Sequence, residues 1–127
     1  MRGTIGDMKL NHMDLLVRDV PATVAYFERY FGLAARTKAD SSALAVLTDG
    51  EGFTLVLQHA EDPKYPGHFH LGFLIDDVEG VYALQERARA DGVDVSDVIV
   101  NGRGTMTYFR APEGYYVEVS CHKRRFA

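Results

Sequence analysis

The stretch EGYYVEVS, residues 113–120, determines how the rest of the sequence is interpreted. It places one carboxylate, Glu118, inside a run of β-branched and aromatic residues that is typical of a buried strand. Because a buried charge has to be paired or bound to a metal ion, the first functional question is what Glu118 faces. A near copy, EGFTLVLQ at residues 51–58, lies 62 residues earlier and carries Val56 in place of the carboxylate.

These two stretches belong to an internal repeat. His12 and Asp19 recur 58 residues later as His70 and Asp77. In each copy a strand leads to an aspartate that can cap a helix, then to a helical apolar face that ends at a glycine. The repeat predicts an α+β fold in which two β-α-β-β-β modules form curved mixed sheets around a cleft.

The hydrophobic pattern indicates where the segments lie. We expect one domain at residues 9–125, with modules at about 9–60 and 68–122, after a loose N-terminal end at 1–8. The predicted helices start at Val20 and Val78 and stop before Gly32 and Gly92. The predicted strands lie at 9–18, 34–38, 44–47, 52–58, 69–75, 93–100, 105–110 and 115–121.

The composition is that of an ordinary globular protein. The 127 residues have a net charge of −4, a hydrophobic fraction of 46% and a single cysteine. The negative charge argues against a nucleic-acid partner, and one cysteine excludes an internal disulfide. No apolar run reaches the length that a membrane span or a signal peptide needs. We therefore expect a soluble cytoplasmic protein that binds neither nucleic acid nor membrane.

Three side chains are candidates for a metal site. Side chains alternate along a strand, so His12, His70 and Glu118 are predicted on the more polar faces of their strands, opposite the faces that pack on the helices. A single histidine on such a strand is more often a surface or structural residue. Two imidazoles and a carboxylate in equivalent modules instead indicate a divalent metal with open coordination positions.

Three motifs carry a family resemblance. LNHM at 10–13 leading into VRDV at 17–20, His70 followed by IDDV at 75–78, and YFRAPEGYYVE at 108–118 resemble the vicinal oxygen chelate superfamily. That group includes glyoxalase I, fosfomycin-resistance thiol transferases, extradiol dioxygenases and bleomycin-binding proteins. The resemblance implies a divalent ion (Fe, Mn, Ni or Zn) held by His12, His70 and Glu118. It also implies a homodimer in which each site takes His12 from one subunit and the other two ligands from its partner.

Two departures from the family pattern bear on the reaction. Glyoxalase I has a fourth protein ligand where the repeat places Val56, with Gln58 in phase only as a weak substitute. The fosfomycin enzymes have a threonine where this chain has Asp14, whose charge would repel a phosphonate. The sequence therefore predicts a metal-dependent enzyme that acts on a small oxygen-chelating substrate in a dioxygenase-like or lyase-like reaction. The alternatives are a metal-free drug-binding protein of the bleomycin-resistance type and a fosfomycin-type thiol transferase, both antibiotic-resistance functions.

Further candidates line the predicted cleft. Tyr108 matches a tyrosine that enzymes of the resembled superfamily direct at the substrate, where a phenol can donate a hydrogen bond. The competing interpretation is a tyrosine of the hydrophobic core. Asp14, Tyr116, Arg103 and Met106 are candidate substrate contacts.

Overall fold

The structure is a computed structural model that describes residues 6, 8–37 and 41–123. These residues divide into two compact units with the boundary between Asp62 and Pro63. The predicted loose end at 1–8 lies almost wholly outside the described residues. So do the last residue of the segment predicted at 34–38 and the last two of the domain predicted at 9–125.

The first unit contains one helix and one mixed sheet among its described residues. Its elements are β1 (His12–Val17), α1 (Val20–Phe31), β2 (Ala34–Ala35), β3 (Leu44–Thr48) and β4 (Thr54–His59). The sheet has the order β1-β4-β3-β2; β1 runs parallel to β4 and the other pairs are antiparallel.

The described residues of the second unit repeat this plan. Its elements are β5 (His70–Leu74), α2 (Val78–Ala90), β6 (Ile99–Asn101), β7 (Gly104–Arg110) and β8 (Tyr116–His122). The sheet order is β5-β8-β7-β6, again with one parallel pair, β5 with β8. The predicted α+β fold of two β-α-β-β-β modules is confirmed. The cleft stays a prediction.

Helix α1 begins and ends where its capping residues predict. Asp19 accepts a hydrogen bond from the backbone N–H of Ala22 at 3.0 Å, and Gly32 ends the helix with a left-handed φ of 69°. Its apolar face, with Val24 and Phe27 fully buried, packs on β3 and β4. The core of the first unit therefore lies between this helix and one face of the sheet.

Helix α2 follows the same rules in the second unit. Asp77 caps it by accepting from the N–H of Glu79 at 3.0 Å. The buried Val81 and Ala88 lie on the helix, which packs on β7 and β8. In both units the helix thus covers one sheet face and leaves the other to the polar side chains. No helix among the described residues is long and apolar enough to cross a membrane.

The prediction of a strand at 93–100 is wrong over most of that segment. A strand forms only at Ile99–Asn101, and before it Val95 makes a single bridge to Phe109. Ser96 interrupts the ladder, because its hydroxyl accepts the N–H of Tyr108 at 3.0 Å in place of a backbone carbonyl. The Ser96 carbonyl meanwhile accepts from the side chain of Thr107 at 3.0 Å. Backbone pairing with β7 therefore stops at Ser96, where a side-chain acceptor takes the place of the backbone carbonyl.

Candidate metal centre

Glu118 lies in the middle of the sheet of the second unit. Its register partner on β5 is Gly72, and its partner on β7 is Tyr108. Only 11% of its side chain is exposed. The structure therefore confirms a buried carboxylate that needs partners.

The two oxygens of the Glu118 carboxylate have different neighbours. The hydroxyl of Ser120, in phase with Glu118 on β8, donates a hydrogen bond to Oε2. A guanidinium nitrogen of Arg103 lies 4.0 Å from the same oxygen. Oε1 is instead 3.5 Å from Nε2 of His70. The carboxylate is thus held at one oxygen, and the other lies beside the imidazole.

The tautomer of His70 follows from its second ring nitrogen. Nδ1 lies 3.0 Å from the backbone carbonyl oxygen of His68. A carbonyl can only accept, so Nδ1 carries the proton and Nε2 has a free lone pair in the neutral ring. Metal-binding histidines commonly use this arrangement, in which one ring nitrogen donates to a backbone carbonyl and the other is left to bind the metal.

The backbone at His68 is unusual. Among the described residues it is the one non-glycine residue with a positive φ, at 68°. Non-glycine residues adopt this left-handed conformation infrequently, and such conformations are concentrated at functional sites. Here it accompanies the carbonyl contact that orients His70.

The His70–Glu118 pair fits a divalent metal. Two ligands that are each about 2.1 Å from one ion are about 3.0 to 3.4 Å apart, depending on the angle between them. The 3.5 Å between Nε2 and Oε1 is close to that range. Among the described residues no three histidine, cysteine or acidic side chains are grouped closely enough to hold an ion. The structure thus brings two of the three predicted ligands together, and a three-ligand site with His12 stays a prediction.

Tyr108 lies beside this pair. Its hydroxyl accepts from Arg103 at 3.4 Å, and its ring meets the His70 ring edge-on with centroids 6.3 Å apart. Burial raises the pKa of the phenol above its ordinary value of 10.0, and the negative charge of Glu118 raises it further. The phenol is therefore protonated at neutral pH and able to donate a hydrogen bond.

Met106 contacts both Arg103 and Tyr108. Its side chain is buried, with 1% of the residue exposed. Its sulfur accepts from Arg103 at 3.1 Å and from the Tyr108 hydroxyl at 3.7 Å. Met106 therefore supports Arg103 and Tyr108, and it presents almost no surface of its own to a substrate.

Two cavities of the second unit share His70. One, of about 390 Å³, has a mostly aromatic lining: His68, His70, Ser96, Tyr108 and Tyr116. The other, of about 350 Å³, contains Glu118 with two of its three neighbours and is lined by His70, Leu71, Gly72, Phe73, Leu74, Arg103, Glu118 and His122. His70 thus separates an aromatic cavity from one that holds the buried charge.

The first unit carries its own imidazole and carboxylate. His12 and Asp14 lie on the exposed face of β1, with Nε2 and Oδ2 3.6 Å apart. The other oxygen, Oδ1, accepts from the amide of Gln58 at 2.9 Å. The register partner of Asp14 on β4 is Val56. Gln58 therefore contacts Asp14, although the sequence suggested it only as a weak substitute ligand.

The contacts of three residues of this region were not predicted; for His68 the sequence favoured a solvent-exposed side chain over an acid/base in the cleft. Ser120 is two residues from Glu118, so strand alternation alone could have indicated its contact with the carboxylate. The carbonyl of His68 acts through backbone conformation and the hydroxyl of Ser96 through its pairing with Tyr108, and the sequence carries no comparable signal for either.

The comparisons with known proteins agree with this fold. Residues 9–119 match the Glyoxalase/Bleomycin resistance protein/Dioxygenase superfamily, and the chain belongs to it. A solved structure of a possible glyoxalase from Bacillus cereus is similar at 34% identity, with a TM-score of 0.81 over 90% of this chain and 99% of that one. No curated protein matches the chain.

Two more distant structures share the fold. The fosfomycin resistance protein FosX from Listeria monocytogenes, complexed with Mn(II) and sulfate, is 23% identical with a TM-score of 0.75 over 91% of this chain and 90% of that one. Lactoylglutathione lyase from Agrobacterium tumefaciens is 23% identical with a TM-score of 0.72 over 88% of this chain and 92% of that one.

Proposed function

We propose that the protein is a metal-dependent enzyme that acts on a small substrate through two neighbouring oxygen atoms, in a dioxygenase-like or lyase-like reaction. The observation that carries this proposal is the pair in the second unit: a His70 Nε2 with a free lone pair, 3.5 Å from a carboxylate oxygen of Glu118. His12 is the third ligand in this proposal. The Mn(II) in the FosX structure supports a divalent ion.

The residues around the pair have separate tasks. A divalent ion held there would supply Lewis-acid polarisation of the substrate oxygens. Tyr108 donates a hydrogen bond from its phenol, which is protonated at neutral pH, to a substrate oxygen. Ser120 keeps Oε2 occupied, which leaves Oε1 of Glu118 free to bind the ion.

The cavities indicate where the remainder of the substrate binds. The aromatic cavity beside His70 suits an apolar or planar group, which would lie against Tyr108 and Tyr116. Arg103, with 63% of its side chain exposed, is available to an anionic or carbonyl oxygen on the other side of His70. We expect a compact substrate with an oxygen-bearing end and an apolar end.

Metal binding tests the proposal directly. The protein is stripped with a chelator and titrated with Mn(II) and Fe(II) by calorimetry, without substrate. H70A and E118Q should each weaken binding at least 10-fold, because each removes one donor. H59A is the matched control, since it removes an imidazole that is not a candidate ligand in either unit. Wild-type protein that binds no ion, or H70A and E118Q variants with wild-type affinity, would contradict the proposal.

A metal-free drug-binding protein is the second candidate. The aromatic lining of the cavity formed by His68, Tyr108 and Tyr116 favours it, because such a surface can hold an aromatic ligand without an ion. H70A separates the two functions: it should abolish turnover in an enzyme and leave the affinity for a cationic aromatic drug nearly unchanged in a binding protein. A fosfomycin-type activity ranks lower, since the Asp14 carboxylate disfavours a phosphonate.

The reaction type and the assembly are separate parts of the proposal. Dioxygen uptake by Fe(II)-loaded protein distinguishes a dioxygenase from a lyase. We also propose a homodimer in the cytoplasm, with each site sharing ligands between subunits, as the family resemblance implies. Mixing H12A and H70A proteins should then restore metal binding at a fraction of the sites, because a mixed dimer contains one intact ligand set.

A further inference from the structure

The two units hold the same pair of donors at nearly the same separation. In the second unit, Nε2 of His70 and Oε1 of Glu118 are 3.5 Å apart. In the first unit, Nε2 of His12 and Oδ2 of Asp14 are 3.6 Å apart. Both values lie close to the spacing of about 3.0 to 3.4 Å between two ligands of one ion.

The carboxylate reaches this position from a different strand in each unit. In the second unit the parallel pair β5–β8 places Gly72 beside Glu118, so the acid is on the last strand. In the first unit the parallel pair β1–β4 places Asp14 beside Val56, so the acid is on the first strand. The residue that faces the acid across each pair carries no charge.

The surroundings of Asp14 prepare it as a ligand. Gln58 donates to Oδ1 at 2.9 Å, and Oδ2 is the oxygen next to His12. The second unit shows the same division, with Ser120 donating to Oε2 of Glu118 while Oε1 faces His70. A ligating carboxylate whose other oxygen is hydrogen-bonded is the usual arrangement in metal sites.

We propose that Asp14 is a fourth protein ligand, which binds the same divalent ion as His12 and replaces the carboxylate missing at Val56. The inference rests on the proposed metal-dependent function. The sequence predicts a substrate contact for Asp14, whereas its position beside His12 favours metal binding. Gln58 is then a positioning residue that holds the Asp14 carboxylate, and does not itself bind the ion.

The experiment measures Mn(II) affinity of the full-length, chelator-stripped protein by calorimetry, in the absence of substrate. D14A and D14N should each bind Mn(II) 10- to 100-fold more weakly than wild type. Q58L, which keeps the carboxylate and removes its donor, should lose only a few-fold. Circular dichroism checks that the variants are folded; Asp14 is exposed, so its replacement leaves the core unchanged.

A variant in which the carboxylate is moved from β1 to β4 makes the test more specific. The double variant D14G/V56E reproduces on β1 and β4 the glycine and glutamate that face each other as Gly72 and Glu118. It should recover Mn(II) affinity to within a few-fold of wild type, which D14G alone should not. Recovery is specific to a metal ligand, since a substrate contact plays no part in a titration without substrate.

The outcomes separate this inference from the proposed function. If H70A and E118Q lose affinity while D14A and D14N keep it, Asp14 is not a ligand and the metal-dependent function stands. D14A with normal Mn(II) affinity and a raised KM would reassign Asp14 to the substrate and overturn the inference. If the wild-type protein binds no Mn(II), both proposals fail together.

Discussion

Replacing Gly72 with alanine tests why a glycine lies beside Glu118. A Cβ at this position would lie 3.0 Å from the Glu118 backbone oxygen and 3.3 Å from its Cβ. Because the two residues are register partners in β5 and β8, the strands have to move apart by a few tenths of an ångström to admit it. Overpacking of this kind costs about 1–3 kcal/mol. Reduced freedom of the unfolded chain offsets about 0.4–1 kcal/mol of that cost.

The expected net loss for G72A is therefore about 1 kcal/mol of unfolding free energy, or about 4 °C in Tm. The same movement displaces Glu118 from His70, so we also expect a several-fold loss of Mn(II) affinity. Urea denaturation and calorimetry measure the two effects. Gly102 provides the control, because a Cβ there would meet nothing within 4 Å and its backbone is not left-handed. A G72A protein with wild-type unfolding midpoint and wild-type affinity would refute the steric explanation.

Four further predictions concern the phenol, the core, a helix cap and the assembly. E118Q should lower the pKa of Tyr108 by removing a negative charge, and R103A should raise it further; ultraviolet difference titration measures both. Because folding raises this pKa, protonated Tyr108 contributes stability that is fully present below pH 10.0 and is lost as the pH rises through the folded-state value. F27A should cost about 3–5 kcal/mol in urea denaturation, since Phe27 is fully buried. D19A should cost about 1 kcal/mol by removing the cap of α1. Sedimentation should give a dimer.

Each of these has its own control or contrary result. Y108F identifies which part of the alkaline titration belongs to Tyr108; an unchanged titration in E118Q would remove the electrostatic explanation. D19N keeps the capping acceptor and should lose only a few tenths of a kcal/mol. A loss below about 2 kcal/mol in F27A would contradict the packing of Phe27 in a core without room to collapse. A monomer that binds metal at full stoichiometry would exclude ligands shared between subunits.

Much of the fold could be predicted because the local signals are strong and repeated. Asp19 and Gly32 bound α1 through side-chain and backbone geometry that acts within one helical turn. The alternation in β1 correctly separates the exposed His12 from the buried Leu15 and Val17. Such short-range patterns survive in the sequence because each is decided by neighbouring residues.

The features that were not predicted depend on backbone conformation or on contacts between distant segments. Ser96 interrupts a β-strand pattern only because Tyr108, on another strand, offers it an N–H. The tautomer of His70 depends on the carbonyl direction at His68, which a side-chain pattern does not encode. The site itself was predicted as far as the pairing of His70 with Glu118, because both positions follow from the repeat and from strand alternation. The contact between Asp14 and Gln58 required the register of β1 against β4.

The parallel pairing of β5 with β8 has a consequence for the order of folding. These strands are the first and last of the second unit, so His70 and Glu118 meet only when the longest chain segment of that unit has closed. Helices and hairpins form from local contacts and are fast, whereas such a distant parallel pairing carries the largest loop-closure entropy and is slow. During synthesis Glu118 is added after every other element of the unit has been made. A second unit that can bind an ion through both residues has therefore closed its longest segment, and bound metal would stabilise the contact that forms last.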